Sequence, residues 1–404
     1  MADERRTVLI TFKQKDKRPK AARGKDKLEV VADLIKSDVS FLTAADVTQG
    51  AAIAMPAEAI GYDVDEYDAP IVTASLTDQE IAALRRNGSV EEVEDDGEVY
   101  ALEAPAGQFE VEGQPSPLAE TIPTGVNQIK APLGWDCSRG KAIKVAVLDT
   151  GIAGAHPDLA PNYRGGISFV PGETSPDDFN GHGTHCAGTI AAAVNGSGVV
   201  GVAPTAYLYA VKVLDGTGSG AWSNLVAGID WCIKRGIRIL SMSLGSPAAA
   251  PNAVKTICDA AWNRGRLLVA AAGNDGGPVG FPARYATVLA VSALDSANVI
   301  APFSNRGPDI ELSAPGVQVL STLPGGGYGR LDGTSMACPH VSGAAALAWG
   351  SHRWADNVAI RRLLAKTADN LGPPGRDPNY GFGRVDAKQA ACSLTRPGPV
   401  PGLP

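Results

Sequence analysis

Four polar residues stand at the start or the end of an apolar or small-residue run, where they could do chemistry. Asp149 ends the run Val145-Ala146-Val147-Leu148 and precedes Thr150-Gly151. A carboxylate there is costly unless something pairs with it, although a turn or helix-capping Asp reads the same way. His182 lies in Asn180-Gly181-His182-Gly183-Thr184-His185-Cys186-Ala187-Gly188, a stretch holding two of the chain's five histidines. A lone histidine is commonly structural, and a zinc reading of His182, His185 and Cys186 lacks a remote ligand pair. Ser335, in Asp332-Gly333-Thr334-Ser335-Met336-Ala337-Cys338-Pro339-His340, opens a helix of small residues. Serine there is ordinarily an N-cap. A nucleophile in that place would gain from the helix dipole and free backbone N–H groups, which stabilise developing negative charge. Asn274 follows Ala270-Ala271-Ala272-Gly273 and could donate its amide to an oxyanion, or simply turn the chain.

The elements around these residues form two textures. Residues 7–13 alternate like a strand. Ile71–Leu76, a helix from Thr77, and Val90–Val99 then read as strand–helix–strand. Thr77-Asp78-Gln79-Glu80 fits a capping box, with Ile81, Ala82 and Leu84 facing inward, and Asn87-Gly88 ends the helix. Residues 103–118 carry no periodicity and read as a linker. From residue 143 onward, apolar runs at Lys144–Leu148, Leu208–Val213, Ile237–Ser241, Leu267–Ala271, Val288–Val291 and Val317–Leu320 alternate with helical patterns. Those patterns lie at His182–Val194, Trp222–Lys234, Asn252–Arg264 and Ser335–Trp349. Apolar strands separated by helices predict an α/β fold with a doubly wound, mainly parallel sheet, whose active site lies beyond the carboxyl ends of the strands. A small N-terminal α+β domain precedes it. The Pro-rich tail, 393–404, reads as disordered.

With 404 residues, 44% of them hydrophobic, the chain can bury a large core and divides into two or three domains. No apolar run approaches the roughly 18–20 residues that span a bilayer, so no membrane partner is expected. Residues 1–118 hold 13 basic and 24 acidic residues, a net of −11, whereas residues 119–404 carry a net of +4. The two parts should attract each other. Neither has the basic stripe of a nucleic-acid binder, and the basic run Lys13–Lys27 reads as a solvated loop. The start, Met1-Ala2-Asp3-Glu4-Arg5-Arg6-Thr7-Val8, has no secretory pattern. Either the protein stays inside the cell or the chain begins after a removed signal. Six cysteines permit disulfides without requiring them. Cys186 and Cys338 read as buried thiols, while Cys137 with Cys392, and Cys232 with Cys258, are the pairings to test.

The four candidates are ambiguous singly but not together. The order Asp…His…Ser, with an Asn donor before the Ser, is one of the known orders of a Ser-His-Asp triad. The residues around Asp149, His182 and Ser335 closely resemble the subtilisin-like serine protease family. That resemblance runs from about Ile122 to Cys392 and continues into residues 7–102, which look like the family's inhibitory propeptide. It implies Ser335 as nucleophile, His182 as general base and then acid, and Asp149 as the group that orients the imidazole. Asn274 and the Ser335 backbone N–H would form the oxyanion hole, with the Thr334 hydroxyl in support. Gly218-Ser219-Gly220 and Ser243-Leu244-Gly245 resemble the two edges between which a peptide lies as an added strand. Gly280 would floor the pocket for the residue before the scissile bond, and Ala271–Gly273, with Ala272 and Gly273 at its core, would wall it. The expectation is a secreted-type endopeptidase with broad preference for large apolar residues, acting on polypeptides as a monomer.

The resemblance also implies structural calcium. Asn195-Gly196-Ser197-Gly198-Val199 matches the family's calcium loop, with the Asn195 side chain, the carbonyls of Ala193, Ser197 and Val199, and the carboxylates of Asp158 and Glu120. Oxygen-only donors are what calcium selects. A weaker second site would use Ala283, Tyr285, Val288, Asp309 and Glu311. The domains implied are a propeptide over 1–102, a linker over 103–118, a catalytic domain over 119–392 and the tail. Leu102 or Leu118 would precede the self-cleavage point, and the propeptide would act as chaperone and intramolecular inhibitor. Two other readings compete. A non-catalytic binding protein is disfavoured because all four catalytic residues are present. A processing protease for basic substrates is disfavoured because the cleft edges are Gly, Ser, Ala and Leu.

Overall fold

The computed structural model describes residues 5–13, 40–41, 59–62, 71–102, 110–112, 120–393 and 397–403. The N-terminal unit is one five-stranded sheet of β1 (Arg6–Phe12), β2 (Ser40–Phe41), β3 (Ala59–Tyr62), β4 (Ile71–Leu76) and β5 (Val90–Asp95), in the order β2-β3-β4-β1-β5. Helix α1 (Asp78–Arg86) packs on it through Ile81 and Leu84, and Thr77 and Glu80 close the expected capping box. Val8, Ile10 and Phe12 of β1 join Leu76, Ile81, Leu84 and Val93 in a core of their own.

The predicted strand Val90–Val99 is two strands. Asp96 breaks it by turning its carboxylate onto Ser223, accepting from the backbone N at 3.0 Å and from Oγ at 2.5 Å. The chain then continues as β6 (Glu98–Ala101), which leaves the N-terminal sheet altogether. The 103–118 linker also differs from expectation, because it supplies β7 (Glu110–Glu112). Leu118 and Ala119 lie outside the described residues, as does the basic run beyond Lys13.

The larger unit contains, in chain order, α2 (Thr124–Gln128), β8 (Lys144–Asp149), β9 (Tyr163–Ser168), α3 (His182–Ala191), β10 (Tyr207–Lys212), β11 (Ser219–Ala221) and α4 (Trp222–Lys234). There follow β12 (Ile239–Met242), β13 (Leu244–Gly245), α5 (Asn252–Asn263), β14 (Leu267–Ala271), β15 (Val288–Leu294) and β16 (Ile310–Pro315). The last elements are β17 (Val319–Leu323), β18 (Gly327–Leu331), α6 (Thr334–Ser351), α7 (Asn357–Thr367) and α8 (Ala387–Cys392). Seven strands form one sheet in the order β16-β15-β14-β12-β8-β10-β9, and every neighbouring pair is parallel. Burial on both faces explains the apolar runs of the inner strands. The run predicted at Val317–Leu320 is not part of this sheet. It begins the antiparallel hairpin β17–β18, whose outer edge takes β7.

Cys137 and Cys392 form a disulfide that ties the segment before β8 to α8. The expected Cys232–Cys258 pair does not form. Each is a free thiol, wholly buried on α4 or α5, serving as a small core residue. The tail is not free over its described part either. Val400 is buried, and Arg376 Nη1 donates to the carbonyl of Gly402 at 3.1 Å.

Candidate active site

The carboxyl ends of β8 and β14 deliver Asp149 and, three residues past its strand, Asn274 to the same rim of the sheet. His182 begins α3 and Ser335 lies in the first turn of α6, so each is carried by a helix N-terminus that faces this rim. His182 Nδ1 and Asp149 Oδ1 share a hydrogen bond of 2.7 Å, and both side chains are shut off from solvent. Asp149 Oδ1 also accepts from Thr150 N at 2.7 Å, which restrains the carboxylate.

The turn that presents His182 is gathered by Asp178, a residue the sequence reading missed. Its Oδ1 accepts from Thr150 Oγ1 at 2.9 Å, Asn180 N at 3.0 Å and Gly181 N at 2.8 Å. Its Oδ2 accepts from Thr184 N at 2.8 Å and Thr184 Oγ1 at 2.6 Å. An Asp four residues before the histidine, ahead of a helix with no side chain at its N-cap, was the available signal. Cys186, one turn along α3 from His182, places its sulfur within 4.8 Å of the Asp149 and His182 donor atoms, and it donates to the carbonyl of Ser335 at 3.5 Å. Burial pushes this thiol well above the ordinary cysteine range, so it is a neutral neighbour of the couple. His185 does not join them. It turns away to the carbonyls of Val319 and Gly329, at 2.9 and 3.2 Å.

Ser335 Oγ donates to the carbonyl of Ser243 at 2.9 Å, and Ser243 Oγ donates back to the carbonyl of Ser335 at 2.8 Å. This pair joins the serine to one edge of the cleft. Thr334 holds Asn274 by its amide oxygen, through backbone N at 2.9 Å and Oγ1 at 2.8 Å, and also accepts from Gly273 N at 3.1 Å. Asn274 Nδ2 is thereby aimed outward, and it donates to the carbonyl of Leu102 at 2.6 Å. Gly333, at φ 153°, adds a reason for its own identity: a Cβ there would stand 2.9 Å from that carbonyl oxygen.

Strand β6 fills the cleft between its two edges. It pairs antiparallel with β11, Tyr100 opposite Ser219 and Val99 opposite Gly220, and with β13, Ala101 opposite Leu244 and Tyr100 opposite Gly245. Ala101 N donates to Gly218 O at 2.9 Å and Leu102 N to Ser243 O at 3.3 Å. Gly245 is bare because a Cβ would press on the Leu102 side chain at 3.2 Å and on the Phe281 carbonyl. Gly280 donates to Ala272 O at 2.9 Å, and a Cβ on it would crowd the Ser246 carbonyl at 3.0 Å.

The two candidate cation sets differ. Around the first, Glu120 Oε1 accepts from Asn195 N at 2.6 Å and Gly196 N at 2.9 Å, and wholly buried Asp158 accepts from Asn195 Nδ2 and Val199 N, both at 2.8 Å. Among the described residues, no hydrogen bond reaches the carbonyls of Ala193, Ser197 or Val199. Two carboxylates, one amide and three unused carbonyls on one loop fit a hard oxygen-seeking cation. The second set does not fit. Arg361 Nε grips Glu311 at 2.8 and 3.0 Å, and its Nη1 and Nη2 take the carbonyls of Ala286 and Val288 at 2.7 and 3.4 Å. A buried guanidinium stands where the cation was expected. Asp309 contributes its backbone carbonyl to Arg376 at 2.8 Å.

The comparisons with known proteins agree with this geometry. The subtilase family profile matches residues 140–383. Subtilisin E of Bacillus subtilis is 45% identical over 325 residues, covering 79% of this chain and 80% of that protein. A subtilisin of Bacillus pumilus is 49% identical over 280 residues, covering 68% of this chain and 100% of that protein. An alkaline protease of Shouchella clausii is 44% identical over 323 residues, covering 80% and 79%.

The buried histidines set an acid limit. Burial lowers His185 to about 3 and His340 to about 4. Both therefore stay neutral when folded yet bind a proton once unfolded, near pH 6.5. Stability is full above that value and falls as the pH drops through it, by about 1.4 kcal/mol per unit for each histidine. Thermal unfolding of the Ser335→Ala chain should show Tm falling from pH 6.5 to 5, before most carboxylates titrate. A flat Tm over that window contradicts the assignment.

Proposed function

The chain belongs to the subtilase family and is a subtilisin-like serine endopeptidase, and from that premise we propose how its own residues perform and restrain the reaction. Ser335 Oγ attacks the carbonyl carbon of the scissile amide while His182 takes its proton. Asp149 holds the imidazole in the required tautomer and stabilises the imidazolium that forms. The oxyanion is received by Asn274 Nδ2 and by the Ser335 backbone N–H, one of the first-turn groups that lack an intrahelical acceptor. His182 then returns the proton to the leaving amine, and water repeats the sequence on the acyl-enzyme. In this fold family itself, losing one oxyanion donor costs about 10²–10³ in turnover.

The observation that carries this reading is the seat of Leu102. Its carbonyl accepts from Asn274 while the strand before it is hydrogen-bonded to both cleft edges, which is where the residue preceding a scissile bond belongs. Residues 1–102 are accordingly the chain's own inhibitory propeptide, and Leu102–Glu103 is the favoured self-cleavage point. The apolar occupant and the Gly245, Ala272, Gly273 and Gly280 surroundings support broad preference for large apolar residues there. The acidic unit docks by more than the cleft. Glu94 accepts from Asn252 N at 2.8 Å and Ala253 N at 3.3 Å, and Asp96 from Ser223. Neither α4 nor α5 has a side-chain cap of its own, so these carboxylates complete the helix N-termini from outside.

Calcium would be held by Glu120, Asp158, Asn195 and the carbonyls of Ala193, Ser197 and Val199. It would supply charge balance for the two carboxylates and lock the loop. The reading includes export, where calcium is abundant, and action as a monomer. Among the described residues no helix is long and apolar enough to cross a membrane.

Incubating the full chain should yield a product beginning at Glu103, found by N-terminal sequencing, and Ser335→Ala should leave the chain intact. The same cleavage in that variant would refute self-processing. Chelation should lower the Tm of the Ser335→Ala chain by roughly 5–10 °C if the site is ordinarily near-saturated. Asp158→Asn should abolish the response to added calcium. A response undiminished in Asp158→Asn contradicts the site.

A further inference from the structure

The outer edge of the β17–β18 hairpin is occupied by a segment that catalysis does not explain. Glu110 pairs with Arg330, Val111 with Gly329 and Glu112 with Tyr328, antiparallel. Strand β18 runs on through Asp332-Gly333-Thr334 into Ser335. The paired segment therefore lies beside the chain that carries the nucleophile, beginning eight residues after Leu102. It travels away from Ser335 toward Tyr328, whose phenol is raised by burial and by the adjacent Asp158. Asp158 in turn accepts from Asn195 Nδ2 and Val199 N, in the loop on which the chain is next fixed. There Glu120 accepts from Asn195 N and Gly196 N, Thr121 N donates to Gly198 O at 2.8 Å, and Val200 N donates to Thr121 O at 3.0 Å.

The path from the cleft to the catalytic domain is thus anchored twice, at the hairpin edge and at the 195–199 loop. Neither anchor involves residues before 103. Cutting after Leu102 removes the inhibitory unit's covalent link and leaves both anchors in place. A peptide must lie extended across several residues on each side of the bond to be cut. For a cut after Leu118 that span includes Glu120, pinned to the loop by its carboxylate, and Thr121, pinned by its backbone N–H and carbonyl. The molecule's own serine cannot receive that segment without dismantling the loop.

We infer that residues 103–118 are a retained strand-bearing segment of the active enzyme: β7 keeps its place on the β18 edge after cleavage at Leu102, and any cut at Leu118 is made slowly by another molecule. This rests on the self-processing reading and adds an order and a molecularity to it. The hairpin edge is then a strand-addition surface with a resident occupant, and trimming that occupant opens the edge beside the nucleophile.

The test is a processing time course on the full chain, followed by intact mass and N-terminal sequencing over a hundredfold range of dilution. The product beginning at Glu103 should form first, at a rate independent of concentration. The product beginning at residue 119 should form later, at a rate that falls in proportion to dilution. Proline removes a ladder donor, so either Val111→Pro or the pair Glu110→Pro/Glu112→Pro should speed the second cut about tenfold, the size expected for losing a ladder bond or two, without altering the first. Hydrogen exchange on the enzyme stopped with a serine reagent after the first cut should show 110–112 protected together with the β18 amides that face β7, and both exposed in the proline variant while the β18 amides paired to β17 stay protected. A residue-119 terminus appearing at a dilution-independent rate overturns the inference, as does exchange unprotected at 110–112. Failure to cut at Leu102 at all overturns the self-processing reading as well, a result readily told apart from these.

Discussion

A carboxylate and an imidazole sealed from water, joined at 2.7 Å, are the constraint around which this site is built. A carboxylate in a dry setting is tolerable only while its partners are fixed. The parallel sheet fixes its backbone, and the neighbouring strand supplies a buried ammonium. Lys212 Nζ donates to the carbonyls of Thr150 at 2.6 Å and Leu214 at 3.0 Å and pairs with Glu173 at 2.9 Å. Those bonds tie the turn after Asp149 to the strand leading into the Gly218 edge. Asp178 does the same for the histidine turn. The groups that orient the imidazole and the groups that hold the peptide therefore share one polar frame.

The same frame explains how a strand of the chain itself can lie in the cleft. A strand laid between β11 and β13 gains backbone bonds on both sides, which require no special side chains, and the Leu102 carbonyl then meets Asn274 without rearrangement. The excess of acid in the first 118 residues finds a local use, since Glu94 and Asp96 cap helices that begin with Pro251 and Ala221 as N-caps. A net attraction becomes two directed interactions. Because the same carboxylates lose hydration there, burial raises both, so docking is not a simple gain of opposite charge.

Much of this was legible because it was local. Asp149 after four apolar residues, Ser335 before small helical ones, and the Thr77 capping box each carry their signal within a few positions. What failed was non-local. Tyr163–Ser168 contains two glycines and Ile310–Pro315 contains Glu311, so neither reads as a buried strand. Glu311 is tolerated only because Arg361, from a later helix, arrives to pair with it. That arrival also removes the second cation site. Cys232 and Cys258 lie on neighbouring helices yet stay free thiols, a fact that spacing cannot supply. Asp178 was overlooked because its one local signal, an Asp shortly ahead of a helix whose N-cap is glycine, does not announce five hydrogen bonds to one carboxylate, one of them from Thr150 in a distant turn.

The central claim is that Asp149 and His182 together make the Ser335 oxygen nucleophilic, and the most direct measurement of it is the rate at which a fluorophosphonate modifies the processed enzyme as pH is varied. The account predicts modification of Ser335 alone, rising with pH as a single imidazole loses its proton. Asp149→Asn should slow it by about 10⁴. Modification elsewhere, or a rate that ignores both pH and the loss of Asp149, would contradict it.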